Sequence, residues 1–392
     1  MPIFKSSNLP IWEFSVLRKA LHIVYFLGRI FIKRKESIMK KNGCIYICHT
    51  FYQVYVSILK ELKKPVDERG QATLMLSTMS NDFTACKGRV ESTHLFREVI
   101  MFEETRDYPQ LQKYREDKGN IVLNMIARIQ YTKKLARLTE PLVPVDLRTY
   151  EDIYVYCDAD PIGYYLNYKK IPYHACEDAT NFLAYYDEAH YENRGHFKLK
   201  AFLSSKCNLI FVQNGYGKYC IDMEVNNIAA IEHYCPRFVE VPLEKLEAGI
   251  SPEDADLILQ AFVPDKDKLL QQIADSGKDK DKILILTEPL CSLDVRERLF
   301  RDLIHTYEAE GTVYLKQHPR DYLDYRTLFA EYPQFDACMP MEVLNYFPGL
   351  HFKKVVGIWT EMKALRFADE IVRLGAPFMD KYEDPEIHRG VK

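Results

Sequence analysis

Cys44-Ile45-Tyr46-Ile47-Cys48 is an unbroken apolar run of strand length, and in the following Gln53 to Lys63 the residues Val54, Ile58 and Leu62 recur at the spacing of one helix face. A strand feeding directly into a helix is the repeating unit of an α/β fold, and the alternation continues. Ala72 to Ser77 and Glu98 to Phe102 have strand character with a polar stretch between them, and Ile121 to Leu138 predicts a helix with a basic outer face. Asp152-Ile153-Tyr154-Val155-Tyr156, Lys170-Ile171-Pro172-Tyr173-His174 and Leu209-Ile210-Phe211-Val212 predict three further strands. A strand that is apolar on both sides must be shielded on both, so the pattern calls for a parallel sheet covered by helices.

A second unit of the same kind follows. Residues 245 to 282 are polar and helical, with Gly249, Pro252, Pro264 and the charged run Lys278-Asp279-Lys280-Asp281-Lys282, the composition of an interdomain stretch. Beyond it Ile283-Leu284-Ile285-Leu286, Thr312-Val313-Tyr314-Leu315 and Lys354-Val355-Val356-Gly357 repeat the strand signal. The expected organisation is an extension over 1–38, a Rossmann-like domain over 39–247 and a second over 248–392. Two such domains facing each other place ligands in the cleft, at the carboxyl ends of their strands.

Across 392 residues, 53 Lys and Arg face 56 Asp and Glu, a net of −3, which excludes a chain-wide basic footprint for nucleic acid. The neutrality is a cancellation. Residues 1–40 hold eight basic and two acidic side chains, a net of +6, which leaves −9 for the other 352 residues. Within this arm, Glu13, Arg18, Lys19 and Arg29 interrupt the apolar stretch from Trp12 to Ile32 before it reaches the ~18 uncharged residues of a spanning helix. No secretory signal pattern is present. The arm therefore reads as a helix lying on an anionic membrane surface, or as an extension outside the fold, since Met39-Lys40-Lys41 before a strand looks like a start. Ten scattered Cys predict reduced thiols and a cytoplasmic protein, peripheral on the inner face of the membrane where the arm engages it.

Four segments sit where chemistry is expected. Lys316-Gln317-His318-Pro319-Arg320 follows a strand, and Pro319 keeps His318 extended at the strand end, beside two cations suited to a phosphate. A protonated His318 there would hydrogen-bond a leaving phosphate oxygen. Glu177 and Asp178 are adjacent carboxylates at another strand end, so one can take a hydroxyl proton while the other is held by backbone donors; Asp178 equally suits a helix N-cap. Glu288, before Pro289, is expected to face the cleft, with Asp294 just beyond. Thr360, in Gly357-Ile358-Trp359-Thr360-Glu361, is expected at a helix start whose free amides form an anion site, or as a simple cap.

Other motifs fall away. Asp158-Ala159-Asp160 has the spacing of a metal-binding carboxylate pair, and Cys44, Cys48 and His49 lack the paired spacing of a structural zinc. P-loop, dinucleotide and nucleophile-elbow glycine patterns are absent.

Taken together, Ile47-Cys48-His49-Thr50-Phe51-Tyr52-Gln53, Leu286-Thr287-Glu288-Pro289-Leu290, Lys316-Gln317-His318-Pro319-Arg320 and Pro340-Met341-Glu342 resemble the motifs of the bacterial sialyltransferases of glycosyltransferase family 52, over about residues 43 to 365. The resemblance implies a GT-B fold and inverting transfer of sialic acid from CMP-sialic acid to a terminal sugar, such as galactose, of a lipooligosaccharide or capsular glycan. It implies no metal or other cofactor, and a homodimer. On this analogy His318 contacts the donor phosphate with Lys316, Pro319 and Arg320 around it, and Thr360 beside Trp359 receives the same phosphate. Glu342 holds the cytidine, and His49, Thr50 and Gln53 lie on the acceptor side. The base is one of Asp178, Glu177, Glu288 and Asp294. Ala179 stands where related enzymes often carry glycine, and Glu288 where the pattern has glutamine. The alternatives are a GT-B transferase using another nucleotide-activated donor, and a non-catalytic binding protein recruited to a membrane by its arm.

Overall fold

The computed structural model describes residues 42–190, 195–209, 214–275, 281–360, 362 and 365–388, and the statements below concern these. The arm over 1–38 and residues 210–212 of the strand expected from Leu209 lie outside them. The first sheet contains β1 (Ile45–Cys48), β2 (Thr73–Ser77), β3 (Glu98–Phe102), β4 (Ile153–Tyr156), β5 (Tyr173–Cys176), β6 (Cys220–Val225) and β7 (Phe238–Glu240). The second contains β8 (Lys282–Leu286), β9 (Thr312–Lys316), β10 (Gln334–Phe335), β11 (Phe352–Gly357) and β12 (Ala368–Arg373). Neighbouring strands are parallel throughout, in the orders β3-β2-β1-β4-β5-β6-β7 and β10-β9-β8-β11-β12.

Each sheet starts at its middle, works outward to one edge and then crosses to the other side. The order therefore reverses between β1 and β4 in the first sheet and between β8 and β11 in the second. Loops leaving the two strands of such a switch point part in opposite directions and open a crevice beyond the strand ends. The two crevices face each other, and the fold is GT-B, as the sequence led us to expect.

Buried apolar strands drive this arrangement. Ile45 and Ile47 of β1 point into one core while Tyr46 and Cys48 point into another, so the strand is covered on both faces. The helix Phe51–Leu62 lays Val54, Tyr55, Ile58, Leu59 and Leu62 onto the second of these. The strands that sequence reading missed are those with mixed faces: β6 alternates buried Cys220, Met223 and Val225 with exposed or half-exposed residues, and β12 is a largely exposed edge.

The stretch between the sheets carries the helices Leu243–Glu247, Pro252–Phe262 and Lys266–Asp275. Ile258, Leu259 and Phe262 join one core that includes Tyr55 from the first sheet's side and Leu284 and Phe352 from the second. Polar links reinforce it. Tyr55 donates to Glu247 at 2.6 Å, Arg366 pairs with the same carboxylate, and Arg69 meets Asp254 at 2.7 Å. The core thus runs continuously beneath the cleft and fixes how its walls face.

Gly163, in the helix Pro161–Lys169, tests this packing where it touches the site. A Cβ there would lie 2.1 Å from the Asp158 carbonyl oxygen, in the backbone turn that presents Asp160. Gly163→Ala should lower unfolding free energy by about 2 kcal/mol or more, read by urea denaturation, because backbone cannot step aside as a side chain can. Wild-type stability in that variant would mean the turn is looser than its contacts indicate.

Candidate active site

A cleft of about 740 Å³ lies between the two switch points. Of the residues singled out from sequence, His49, Thr50, Asp178, Lys316, His318, Pro319, Arg320, Glu342 and Thr360 line it. Gln53, Glu177, Glu288, Trp359 and Asp294 do not.

On the first domain's side, the β1 end is organised by a capping box. Thr50 accepts the Gln53 amide hydrogen at 3.3 Å, and the Gln53 side-chain oxygen accepts from His49 N–H at 2.6 Å and Thr50 N–H at 3.3 Å. The other end of Gln53 donates through Nε2 to Asp178 Oδ1 at 2.6 Å. Gln53 is fully buried, so its expected contact with an acceptor is corrected: it holds the Asp178 carboxylate in place.

The structure separates the adjacent carboxylates Glu177 and Asp178: one is held by backbone donors and the other lines the cleft. Glu177 is buried, and its oxygens accept backbone N–H groups from Leu183 at 2.9 Å and Asn226 at 2.8 Å. Its place among the catalytic candidates is therefore corrected to a structural one. Asp178 opens on the cleft. Burial pushes its carboxyl above the ordinary range, opposed by the charges of His49 and Arg320. Arg320 belongs to the opposite domain, so this carboxylate feels charge from across the cleft.

His49 is 1% exposed and its Nε2 lies 2.7 Å from Glu104 and 3.5 Å from Asp160. Burial alone would lower its pKa, but Asp160 and Glu104 raise it to about 9, so the ring is an imidazolium at neutral pH. Asp160 also pairs with Arg106, which lines the cleft. Asp158 faces another way, accepting from Asn214 N–H at 2.6 Å and Tyr173 O–H at 2.9 Å. The two carboxylates of the Asp158-Ala159-Asp160 triplet thus have separate protein partners.

On the second domain's side, His318 N–H donates to Thr287 Oγ1 at 3.1 Å, and Arg320 N–H donates to His318 Nδ1 at 3.1 Å. Burial, with Arg320 and Lys316 adding to it, lowers the His318 pKa to about 4. The ring is neutral without a ligand, which corrects the protonated form expected from sequence. Since Nδ1 accepts, the ring hydrogen sits on Nε2, where it can still donate to an anion. Lys316 is 5% exposed, and burial brings its ammonium down to about 8. Glu342, also on the cleft, is pushed up to about 7 by burial.

Two further expectations are overturned together. Thr360 follows β11 without starting a helix among the described residues, and its amide is already bonded. Glu288 Oε1 accepts N–H groups from Ile358 at 2.9 Å, Trp359 at 2.9 Å and Thr360 at 3.0 Å, plus the Thr360 hydroxyl at 2.9 Å. The anion site foreseen at Thr360 exists, and an internal carboxylate fills it. Glu288 is thereby excluded as a base facing the cleft. Trp359 packs partly buried against the second domain's core, away from the cleft, which corrects its donor-binding role. Asp294 sits fully exposed in the first turn of the helix Leu293–Glu308, bonded to Ser292, and leaves the list of bases.

Sequence reading missed Asn81, Arg106 and Arg115, all on the cleft wall. They lie in irregular connections after β2 and β3, where neither period nor motif marks a position.

No protein-family profile matches the chain, and no curated protein does. Among solved structures, it is similar to an α/β-galactoside α-2,3-sialyltransferase from Photobacterium phosphoreum at 10% identity, covering 85% of this chain and 90% of that one, with a TM-score of 0.46. The GT-B domain of a sialyltransferase from Photobacterium damselae matches at 11% identity, 81% and 86% coverage and a TM-score of 0.45. A UDP-GlcNAc 2-epimerase from Neisseria meningitidis matches at 11% identity, 80% and 77% coverage and a TM-score of 0.39.

Removing the Glu288 carboxylate should expose how much of the second domain hangs on it. Glu288→Ala leaves three backbone donors and a hydroxyl without their acceptor, and we expect a loss of about 3 kcal/mol or more in urea unfolding. A loss under about 1 kcal/mol would show that water replaces the carboxylate.

Proposed function

We propose that the protein is an inverting sialyltransferase that moves sialic acid from CMP-sialic acid to a terminal sugar, such as galactose, of a lipooligosaccharide or capsular glycan. The observation that carries this reading is the position of Asp178, a half-buried, raised-pKa carboxylate facing Arg320, His318 and Lys316 across one cleft. A base and a phosphate site on opposite walls suit a single displacement. The acceptor hydroxyl gives its proton to Asp178 as its oxygen attacks the anomeric carbon from one side. The bond from that carbon to the phosphate oxygen breaks on the other, and CMP leaves with the electron pair. His318 donates its Nε2 hydrogen to a phosphate oxygen, while Arg320 and Lys316 offset the charge.

The charge supply favours a donor with one phosphate. On the second domain's wall His318 is neutral without ligand and the 358–360 amides are taken by Glu288, which leaves Arg320 and Lys316 for a single phosphate, while Arg106 and Arg115 line the facing wall, Arg106 paired with Asp160. Glu342, 3 residues into the segment after Met339 and beside Lys316, is suited to accept the amino group of cytosine. His49 and Arg106 fix the wall on which the acceptor rests, and no metal or other cofactor enters these steps. The arm over 1–38 would add contact with the cytoplasmic face of an anionic membrane, and pairing into a homodimer is compatible with this chemistry.

The reading is tested by incubating the protein with CMP-sialic acid and galactose-terminated glycans and following product mass. Asp178→Asn should lower kcat by about 100-fold or more with unchanged melting behaviour, the range for loss of a general base. Near wild-type turnover would remove Asp178 from the chemistry. His318→Ala should also lower turnover strongly while the protein stays folded, and normal turnover would end its phosphate role.

Three titrations set the expected pH profile. The ionised forms of Glu342 and Asp178 are the active ones, so kcat/KM falls as pH drops through about 7, where Glu342 titrates, and through the raised pKa of Asp178. Lys316 is active when charged, so kcat/KM also falls as pH rises through about 8. Lys316→Arg keeps its charge and should move the alkaline limb upward. An unmoved limb would take Lys316 out of donor binding.

A further inference from the structure

The helix Ile121–Thr139 was expected to turn a basic face outward, but its first turns expose apolar side chains. Ile121, Val122, Leu123 and Ile126 are joined by Leu199 and Phe202 of the helix Phe197–Phe202, and each is between 46% and 59% exposed. The two helices form one surface, because Met125 and Ile129 of the longer helix pack on Phe197 of the shorter. Six large apolar side chains on adjoining helices exceed the scattered singles of an ordinary surface.

What borders this patch indicates what covers it. Lys198, Lys200 and Lys206 belong to the same segments as Leu199 and Phe202, while Lys118 is paired with Glu116 at 3.2 Å and Arg128 donates to the Tyr164 hydroxyl at 2.8 Å. Arg128 and Lys200 are close enough that, after burial, the Arg128 charge is what lowers the Lys200 pKa. A second copy would bring this positive rim against itself, and the arm over residues 1–40, at +6, would meet like charge. Apolar side chains ringed by Lys and Arg suit the interface of an anionic bilayer, where the rings and chains enter the acyl boundary and the cations meet headgroups.

Position supports the same occupant. The longer helix follows β3 and runs back along the sheet, so its amino-terminal turns stand at the strands' carboxyl ends, beside the cleft. Arg115 just before it and Tyr131 within it both line the cleft wall.

We propose that the surface formed by residues 121–126 and 197–206 is a membrane-docking face for anionic lipid, separate from the amino-terminal arm, and that it seats the cleft mouth against the bilayer. It does not depend on the identity of the transferred sugar.

The test uses the full chain and vesicles of phosphatidylcholine, with or without phosphatidylglycerol. Phe202→Trp reports the face directly. Against the wild-type chain, its added emission should shift to the blue and be quenched by brominated lipid chains in anionic vesicles, and less so in neutral ones. Unshifted, unquenched added emission overturns the proposal, because attachment through the arm alone leaves residue 202 in water. The double variant Leu123→Glu, Phe202→Glu should reduce partitioning to anionic vesicles by about tenfold, from lost apolar insertion and added negative charge. Undiminished partitioning overturns the proposal, as does loss of a concentration-dependent dimer with lipid binding intact, which would assign the face to a second copy. If the double variant fails to fold, the Phe202→Trp readout decides alone.

Discussion

Parallel pairing constrains everything that follows. When each strand of a sheet runs the same way, every carboxyl end arrives at the same edge, and the residue just past each strand joins those past its neighbours. His49 follows β1, Cys157 follows β4, Glu177 and Asp178 follow β5, Thr287 and Glu288 follow β8, and Gln317 and His318 follow β9. Their meeting owes nothing to their distance in sequence. It is a property of direction, and the apolar core under the cleft makes the two edges face each other.

Crowding so many ionisable groups at two edges creates a problem of partners, and its solution sorts the carboxylates by role. Glu288 accepts three backbone N–H groups and a hydroxyl, Glu177 two N–H groups, and Asp158 an N–H and a tyrosine O–H. Each is tied to donors within its own domain, and although burial raises the carboxyls of Glu177 and Asp158, none of the three is presented to the cleft. Asp178 has the Gln53 amide and otherwise burial, which favours the neutral form. What sets Asp178 apart is its place on the cleft wall, where the charges of His49 and Arg320 reach it. Gln53 then has a double effect, since the same side chain that orients Asp178 closes the cap of the first helix.

This also explains what could be read from the sequence. Strands buried on both faces, such as β1, β8 and β9, were legible because burial leaves an unbroken apolar run. β6, β7, β10 and β12 were not, because Asp222 and Glu224 interrupt β6, Asp369 and Glu370 interrupt β12, and β7 and β10 are only 3 and 2 residues long. The segment after β11 was legible as an anion site, yet its occupant stands 72 residues earlier at Glu288, a pairing that only the β8–β11 neighbourhood reveals. His318 was legible as a residue held at a strand end. Its charge state was not, since that depends on burial and on Arg320 and Lys316 beside it.

The same directional rule links chemistry to surface. A crossover helix in a parallel sheet returns the chain from the carboxyl edge, so the helix Ile121–Thr139 starts toward the cleft edge, with Arg115 ahead of it and Tyr131 within it on the cleft wall. Apolar exposure at that start is therefore exposure beside the mouth. The described chain is part of a body carrying −9, which a negatively charged membrane would repel at long range. Screening limits that repulsion to about 8–10 Å at physiological salt, whereas Lys198, Lys200 and Lys206 belong to the same short segment as Leu199 and Phe202. At contact the local charge wins. A body that is acidic overall can then approach an anionic surface in one orientation, the one that sets its cleft against the bilayer.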